Sequence, residues 1–259
     1  MPFAELPDLR LHYRLDGPED APVLVFSHSL GADLTMWDPQ IPALMKQFRV
    51  LRYDTRGHGE SSVPSGPYAI EQLARDVLGL LDMLRMERVY FCGLSIGGQT
   101  GQWLGANMPQ RFHKLVLCNT AAKIGSEEGW RTRIDAVRAG GVQSVAGAVI
   151  ERWFTAGFRA KDPAGVAKTR QLLETTNSDG YIACCAAVRD FDFRKQAAGI
   201  RLPTLVIASA HDTSTPAADG RWLAEQISGG RYVELNAAHL SNIEDSERFN
   251  TELSAFLSA

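Results

Sequence analysis

The chain has 259 residues, of which 45% are hydrophobic and 22% charged, with a formal net charge of −3. That is enough apolar material for a sizeable core, and too little basic charge for a nucleic-acid or anionic-membrane surface. No stretch approaches the roughly 20 unbroken apolar residues of a membrane span, and the opening "MPFAELPDLRLHYRLDG" lacks the basic and apolar regions of a secretory signal.

The four cysteines, Cys92, Cys118, Cys184 and Cys185, match no zinc spacing. They read as reduced thiols, Cys92 and Cys118 as small buried hydrophobes. A cytoplasmic enzyme or binding protein is the expected class.

In chain order, "LRLHYRL" from Leu9 to Leu15 alternates apolar and polar residues and predicts an antiparallel edge strand ending at the turn Asp16-Gly17-Pro18. The near-continuous apolar run Val23–Phe26 predicts a strand covered on both faces. A helix is expected from about Asp38 to Phe48, then the strand of "RVLRYDTRGHG" running into a glycine-rich loop. Ile70, Leu73, Val77, Leu80, Leu81 and Leu84 recur at helical spacing. Next come the strand "RVYFCG", a helix over Ile96–Asn107 that Pro109 helps to end, and the strand "KLVLCN".

Repeated strand–helix alternation predicts an α/β fold, a mostly parallel sheet with helices on both faces. The alternation lapses between about Ala121 and Gly199, where "WRTRIDAVRAGG", "VAGAVIERWF" and "VAKTRQLLETT" are helical in pattern. It resumes with the strand "LPTLVIASAHD", a helix near Ala217–Ile227, the strand "RYVELNAAH" and a last helix over Ile243–Leu257. Residues 1–120 and 200–259 therefore read as one core, and residues 121–199 as a helical cap inserted into it.

Gly93-Leu94-Ser95-Ile96-Gly97 fits G-x-S-x-G at a strand-to-helix junction. A nucleophile elbow needs glycine around a strained serine, because side chains there would strike the strand or the following helix. A serine also needs a base held by a third group. In this architecture the order is Ser, acid, His, each at a strand end. Asp212, after "LVIASAH", and His239, after "YVELNAA", satisfy it.

The plainer rivals are a turn serine, a loop carboxylate and a helix-capping histidine; the shared order and context favour catalysis. His211 reads as a loop or supporting residue, and His12 and His113 as surface or satisfied structural histidines. An oxyanion hole would use the backbone N–H of Ile96 and one from the loop "SHSLG", by position Leu30. "DTRGHGES" reads as structural, shaping the floor of the site.

The sequence resembles the α/β-hydrolase superfamily over nearly its whole length, through "RYDTRGHGES", "GLSIGG" and the Asp212/His239 pair. Within it, "SLGADLTMWDPQ", "GGQTGQWLGANMPQRF", "LCNTAAKIGSEEGW" and "RWFT" are similar to the 3-oxoadipate enol-lactonases of the β-ketoadipate pathway. His28 departs in detail, since many members carry another polar residue before "SLG". The resemblance implies an α/β-hydrolase fold and opening of 3-oxoadipate enol-lactone to 3-oxoadipate in aromatic catabolism. Ser95 would be the nucleophile, His239 the base and Asp212 its orienter, with no metal or organic cofactor. Another esterase, a perhydrolase or a carbon–carbon bond hydrolase of ring-cleavage products would share the triad.

The substrate implied is a small lactone bearing a carboxylate, which wants a cation in a partly dry pocket. The helical insertion offers Trp130, Arg131, Arg133, Arg152, Trp153 and Phe154. Of these, Trp130 and Trp153 are expected in the apolar wall and Arg133 at the carboxylate, although tryptophans on such helices usually pack and arginines usually face solvent.

Overall fold

The computed structural model describes residues 2–259. Among them, eight strands form one sheet in the order β1-β2-β4-β3-β5-β6-β7-β8. The strands are β1 Phe3–Leu6, β2 Leu9–Asp16, β3 Val23–Ser27, β4 Arg49–Tyr53, β5 Val89–Leu94, β6 Phe112–Cys118, β7 Thr204–Ser209 and β8 Arg231–Leu235. β2 runs antiparallel to β1 and β4, and every pairing from β4 across to β8 is parallel. The carboxyl ends of β3 to β8 therefore lie along one edge, where ligands of an open α/β sheet sit.

Alternate residues of the central strands feed two separate cores. Leu24, Phe26, Cys92, Leu94, Val116 and Cys118 point to one face. Val25, Phe91, Leu115 and Leu117 point to the other. Continuous apolar runs are thus required because both faces are covered. The first face packs on Trp37, Phe249 and Leu253, with Phe26 stacked on Trp37 at 4.3 Å, a contact contributing about 0.5–1.5 kcal/mol beyond burial. The second packs on α2 (Ile70–Met83), α3 (Ile96–Asn107) and α9 (Ala217–Gln226) through Val77, Leu80, Leu104 and Leu223.

Two expected helices differ in detail. Of the stretch expected to be helical from Asp38 to Phe48, residues 38–40 end a 3₁₀ helix, Leu34–Gln40, residues 41–44 form the short α1, Ile41–Leu44, and residues 45–48 are turn and bend. Asp33 caps the 3₁₀ turn by accepting from Thr35 N–H, and Pro39 and Pro42 cannot donate to an α-helical ladder. The last helix is divided at Asp245 into α10, Ser241–Glu244, and α11, Ser246–Ser258.

Between β6 and β7 lie five consecutive helices: α4 Glu127–Gly140, α5 Gln143–Trp153, α6 Ala156–Lys161, α7 Pro163–Thr175 and α8 Ser178–Asp190. The three segments of helical pattern fall in α4, α5 and α7. No helix among the described residues is long and apolar enough to cross a membrane.

Candidate active site

β5 ends at Leu94, and the chain turns at once into α3 with Ser95 as the hinge, at φ 60° and ψ −115°. That positive φ is sparsely populated by residues with a side chain and is held only where the surroundings dictate it. The surroundings are glycine. A Cβ on Gly93 would overlap Gly97 O, and one on Gly97 would overlap Ser27 O. Ser95 N–H is tied to Cys118 O at 3.0 Å, which anchors the elbow to the end of β6.

The other two members of the expected constellation arrive from β7 and β8. Asp212 follows β7 and is 5% exposed; His239 follows β8 and is 3% exposed. His239 Nδ1 lies 2.7 Å from Asp212 Oδ2. The same oxygen accepts from Thr215 Oγ1 at 2.6 Å and Asn119 Nδ2 at 3.0 Å, while Oδ1 accepts from Ser214 N and Thr215 N at 2.8 and 3.0 Å. Burial works to raise the Asp212 carboxyl, but the facing His239 ring and these donors outweigh it and bring it down to about 2. Asp212 is therefore an anion, and the imidazole must present Nδ1–H to it. That leaves Nε2 as a basic lone pair.

Ser95 and His239 line one cavity of about 440 Å³. No hydrogen bond joins their side chains among the described residues; catalytic hydrogen bonds of this kind commonly tighten only in the Michaelis complex. Leu30 lines the same cavity, and Ile96 opens α3, so its N–H has no intrahelical acceptor. The positive end of α3 adds to the same region.

Most of the remaining lining comes from α4, α5 and α8. Trp130, Arg133 and Trp153 all reach the cavity, as the sequence suggested. Trp130 also donates its indole N–H to Ile124 O at 2.7 Å and lies under Arg133, whose guanidinium carbon is 4.8 Å from the ring centroid. Trp153 is 4% exposed.

Arg152, offered by the sequence but not chosen for the carboxylate, and Tyr181, which the sequence did not single out, face the same space. Glu127 and Asp135 of α4 are paired with Arg131 and Arg138. Neither Arg133 nor Arg152 is in an ion pair with a carboxylate among the described residues. Burial, and then the neighbouring Arg133, lower the pKa of Arg152. The Tyr181 hydroxyl is buried without a hydrogen-bond partner, and burial pushes it up to about 12. Two guanidiniums and a spare phenol thus converge beside a serine and an imidazole.

Asn119 was likewise missed, although it sits at a strand end like the others. At φ 41° it donates to both Ser209 Oγ and Asp212 Oδ2 and accepts from Ser241 Oγ. His211 is a loop residue beside Asn236 Oδ1, 2.9 Å away, and His12 is a buried structural histidine 2.6 Å from Asp54 Oδ2. All four cysteines are free and buried. No group of three or more His, Cys, Asp or Glu among the described residues could hold a metal ion.

A strained serine at a strand–helix elbow, with an Asp–His pair on later strand ends of a mostly parallel sheet, defines the hydrolase class that the motifs suggested. Residues 22–246 match the family described as the α/β hydrolase fold, and the chain belongs to that family.

Within it, the chain is 44% identical over 250 residues to 3-oxoadipate enol-lactonase 2 of Acinetobacter baylyi, covering 96% of this chain and 94% of that one. It superposes on the crystal structure of the enol-lactonase from Burkholderia xenovorans with a TM-score of 0.98, at 49% identity and with all of both chains covered. A thermophilic esterase from Thermogutta terrifontis, solved with malate bound, aligns at a TM-score of 0.90 and 28% identity, over 96% of this chain and 93% of the other. The resemblance read from the motifs is borne out.

Proposed function

We propose that this chain is a 3-oxoadipate enol-lactonase, opening the lactone to 3-oxoadipate through an acyl-enzyme on Ser95. The relatives named for that reaction support the substrate. The observation that carries the reading is the cavity itself, which joins Ser95 and His239 to two cations lacking carboxylate partners. A neutral ester has no use for them. A carboxylate-bearing lactone has.

In this reading the helices α4–α8, within residues 121–199, act as a cap over the core formed by residues 1–120 and 200–259. The substrate carboxylate lies against Arg133 and Arg152 with the Tyr181 hydroxyl as a further donor, and charge-assisted hydrogen bonds in a partly dry site are the stronger kind. Trp130 and Trp153 wall the ring.

His239 Nε2 takes the Ser95 proton as the oxygen attacks the lactone carbonyl, and Asp212 stabilises the imidazolium that forms. The N–H groups of Leu30 and Ile96 receive the developing oxyanion. Collapse breaks the ring C–O bond and expels an enolate, a better leaving group than an alkoxide; the proton held by the His239 imidazolium passes to it on the way to the ketone, and the imidazole is again neutral. Water, deprotonated by His239, then releases the acyl group and restores Ser95.

The test follows the ultraviolet loss of authentic enol-lactone, beside a neutral phenyl ester of similar size. The expected result is a kcat/KM strongly in favour of the lactone and a loss of several orders of magnitude in Ser95→Ala with the fold intact. A preference for the neutral ester would remove the lactonase assignment. Near-normal turnover by Ser95→Ala would remove the covalent mechanism.

A further inference from the structure

Two buried histidines outside the Ser95–Asp212–His239 set meet at the loop that follows β3: His28 belongs to it and His58 packs against it. His28 has no exposed surface and His58 is 2% exposed; their ring centroids are 5.4 Å apart. Each is held from two sides. His28 Nδ1 is 2.8 Å from Ser29 O, and its Nε2 accepts from Thr55 N–H at 2.9 Å. His58 Nε2 accepts from Gly31 N–H at 3.0 Å, and its Nδ1 faces Arg56 O at 3.4 Å and the Cys184 sulfur at 3.9 Å.

These partners settle the protonation pattern. Backbone N–H groups can only donate, so both Nε2 atoms are lone pairs and both rings are neutral with the proton on Nδ1. A second proton on either ring would set donor against donor. Burial, with His28 alongside, brings His58 down to about 3, in keeping with that neutral state.

The geometry then reaches the reaction centre. In a trans peptide the N–H points opposite the preceding carbonyl. Ser29 O is drawn back by His28 Nδ1–H, and also by Ala32 N–H at 3.1 Å. The N–H of the same peptide belongs to Leu30, and both Ser29 and Leu30 line the cavity with Ser95. The next peptide is fixed in turn, because its Gly31 N–H is held by His58.

We propose that His28 and His58 are positioning residues for the oxyanion hole: His28 turns the Ser29–Leu30 peptide so that Leu30 N–H faces the acyl carbon's oxygen, and His58 locks the following peptide through Gly31. His28 also polarises that peptide, since a hydrogen bond to the carbonyl strengthens the N–H as a donor. The inference rests on the Ser95 mechanism above but not on the lactone, because an oxyanion hole serves any acyl group.

The experiment measures kcat and KM for both the enol-lactone and the neutral phenyl ester in His28→Ala, His28→Asn, His58→Ala and His58→Gln. Removing one oxyanion donor typically lowers kcat by about 10²–10³-fold. His28→Ala and His58→Ala should each lose at least about tenfold in kcat on both substrates, with KM within about threefold. Asn at 28 can still donate to Ser29 O and Gln at 58 can still accept from Gly31 N–H, so these variants should recover most of the loss.

Alanine variants with normal kcat, or an Asn or Gln variant no better than its alanine counterpart, would overturn the proposal. If the alanine variants do not fold, nitrogen-15 NMR of wild-type histidines decides independently. Both rings should be neutral with the proton on Nδ1 at pH 7; an Nε2–H ring at either position refutes the arrangement. Wild type that turns over the ester but not the lactone would sink the substrate reading and leave this test standing.

Discussion

Replacing Asp212 by Asn tests the electrostatic heart of the site with almost no change in shape. Both carboxylate oxygens are committed as acceptors: Oδ2 to His239 Nδ1, Thr215 Oγ1 and Asn119 Nδ2, and Oδ1 to two backbone N–H groups. An amide must put its NH₂ at one of these positions. At the first it opposes His239 Nδ1–H and favours the other tautomer, which turns Nε2–H toward Ser95 and removes the base. At the second it opposes the N–H groups of Ser214 and Thr215.

A wrong-tautomer substitution of this kind costs about 10⁴-fold in kcat, or about 5 kcal/mol of barrier. Stability should fall as well. The carboxyl is brought from 3.8 to about 2 in the fold, which corresponds to about 2 kcal/mol favouring the folded state at neutral pH. The unfolded chain binds the proton first as pH falls, so this contribution is complete above about pH 5 and is lost progressively toward pH 2; about 1 kcal/mol of it is gone by pH 3.

Lactone turnover and urea unfolding from pH 5 to pH 3 measure both effects, with the wild-type advantage over Asp212→Asn shrinking in acid. A variant within tenfold of wild-type kcat would refute the reasoning, as would a stability difference that does not change with pH.

Arg133→Ala and Arg152→Ala should each raise KM for the lactone by about 10- to 100-fold, since hydrogen bonds to a charged group contribute about 1.5–3 kcal/mol. The same variants should leave the neutral ester nearly unaffected; equal effects on both substrates would assign the arginines to packing instead. Gly97→Ala forces a methyl onto the Ser27 carbonyl. It should destabilise the fold by about 1–3 kcal/mol in urea unfolding and cost activity through a displaced Ser95, whereas unchanged stability would show that the elbow has room.

Ser95, Asp212 and His239 were legible because each follows an apolar run at a strand end, and the order of strands along the chain fixes which ends become neighbours. The same logic gave Leu30 and Ile96 as candidates. Asn119 occupies an equivalent position after β6 and was still passed over. Its value depends on a 3.0 Å contact with Asp212, 93 residues away, and local pattern holds no trace of that distance.

Arg152 stood among the candidates of the insertion but was not chosen, for a different reason. On an amphipathic helix an arginine next to Trp153 reads as solvent-facing, and only the packing of α5 beside α4 brings it alongside Arg133 within one cavity. The helix expected over Asp38–Phe48 shrank to a 3₁₀ turn and the short α1 because Pro39 and Pro42 cannot donate to an α-helical ladder.

The backbone contacts around Arg152 tie the helices between β6 and β7 to the loop after β8. His239 N–H points to Arg152 O at 3.4 Å and Leu240 N–H donates to Trp153 O at 3.1 Å. The Glu244 carboxylate then clamps the same corner, accepting from Ala238 N–H at 3.0 Å and Thr155 N–H at 3.2 Å and from the Thr155 hydroxyl. The residues that end α5 are therefore tied to the loop carrying the imidazole. α5 cannot swing away without breaking these partly buried bonds. The backbone at Arg152 and the loop that carries the imidazole are thus held together. Under the proposed function, that tie would let the site select substrates by the distance between their carboxylate and their reacting carbonyl.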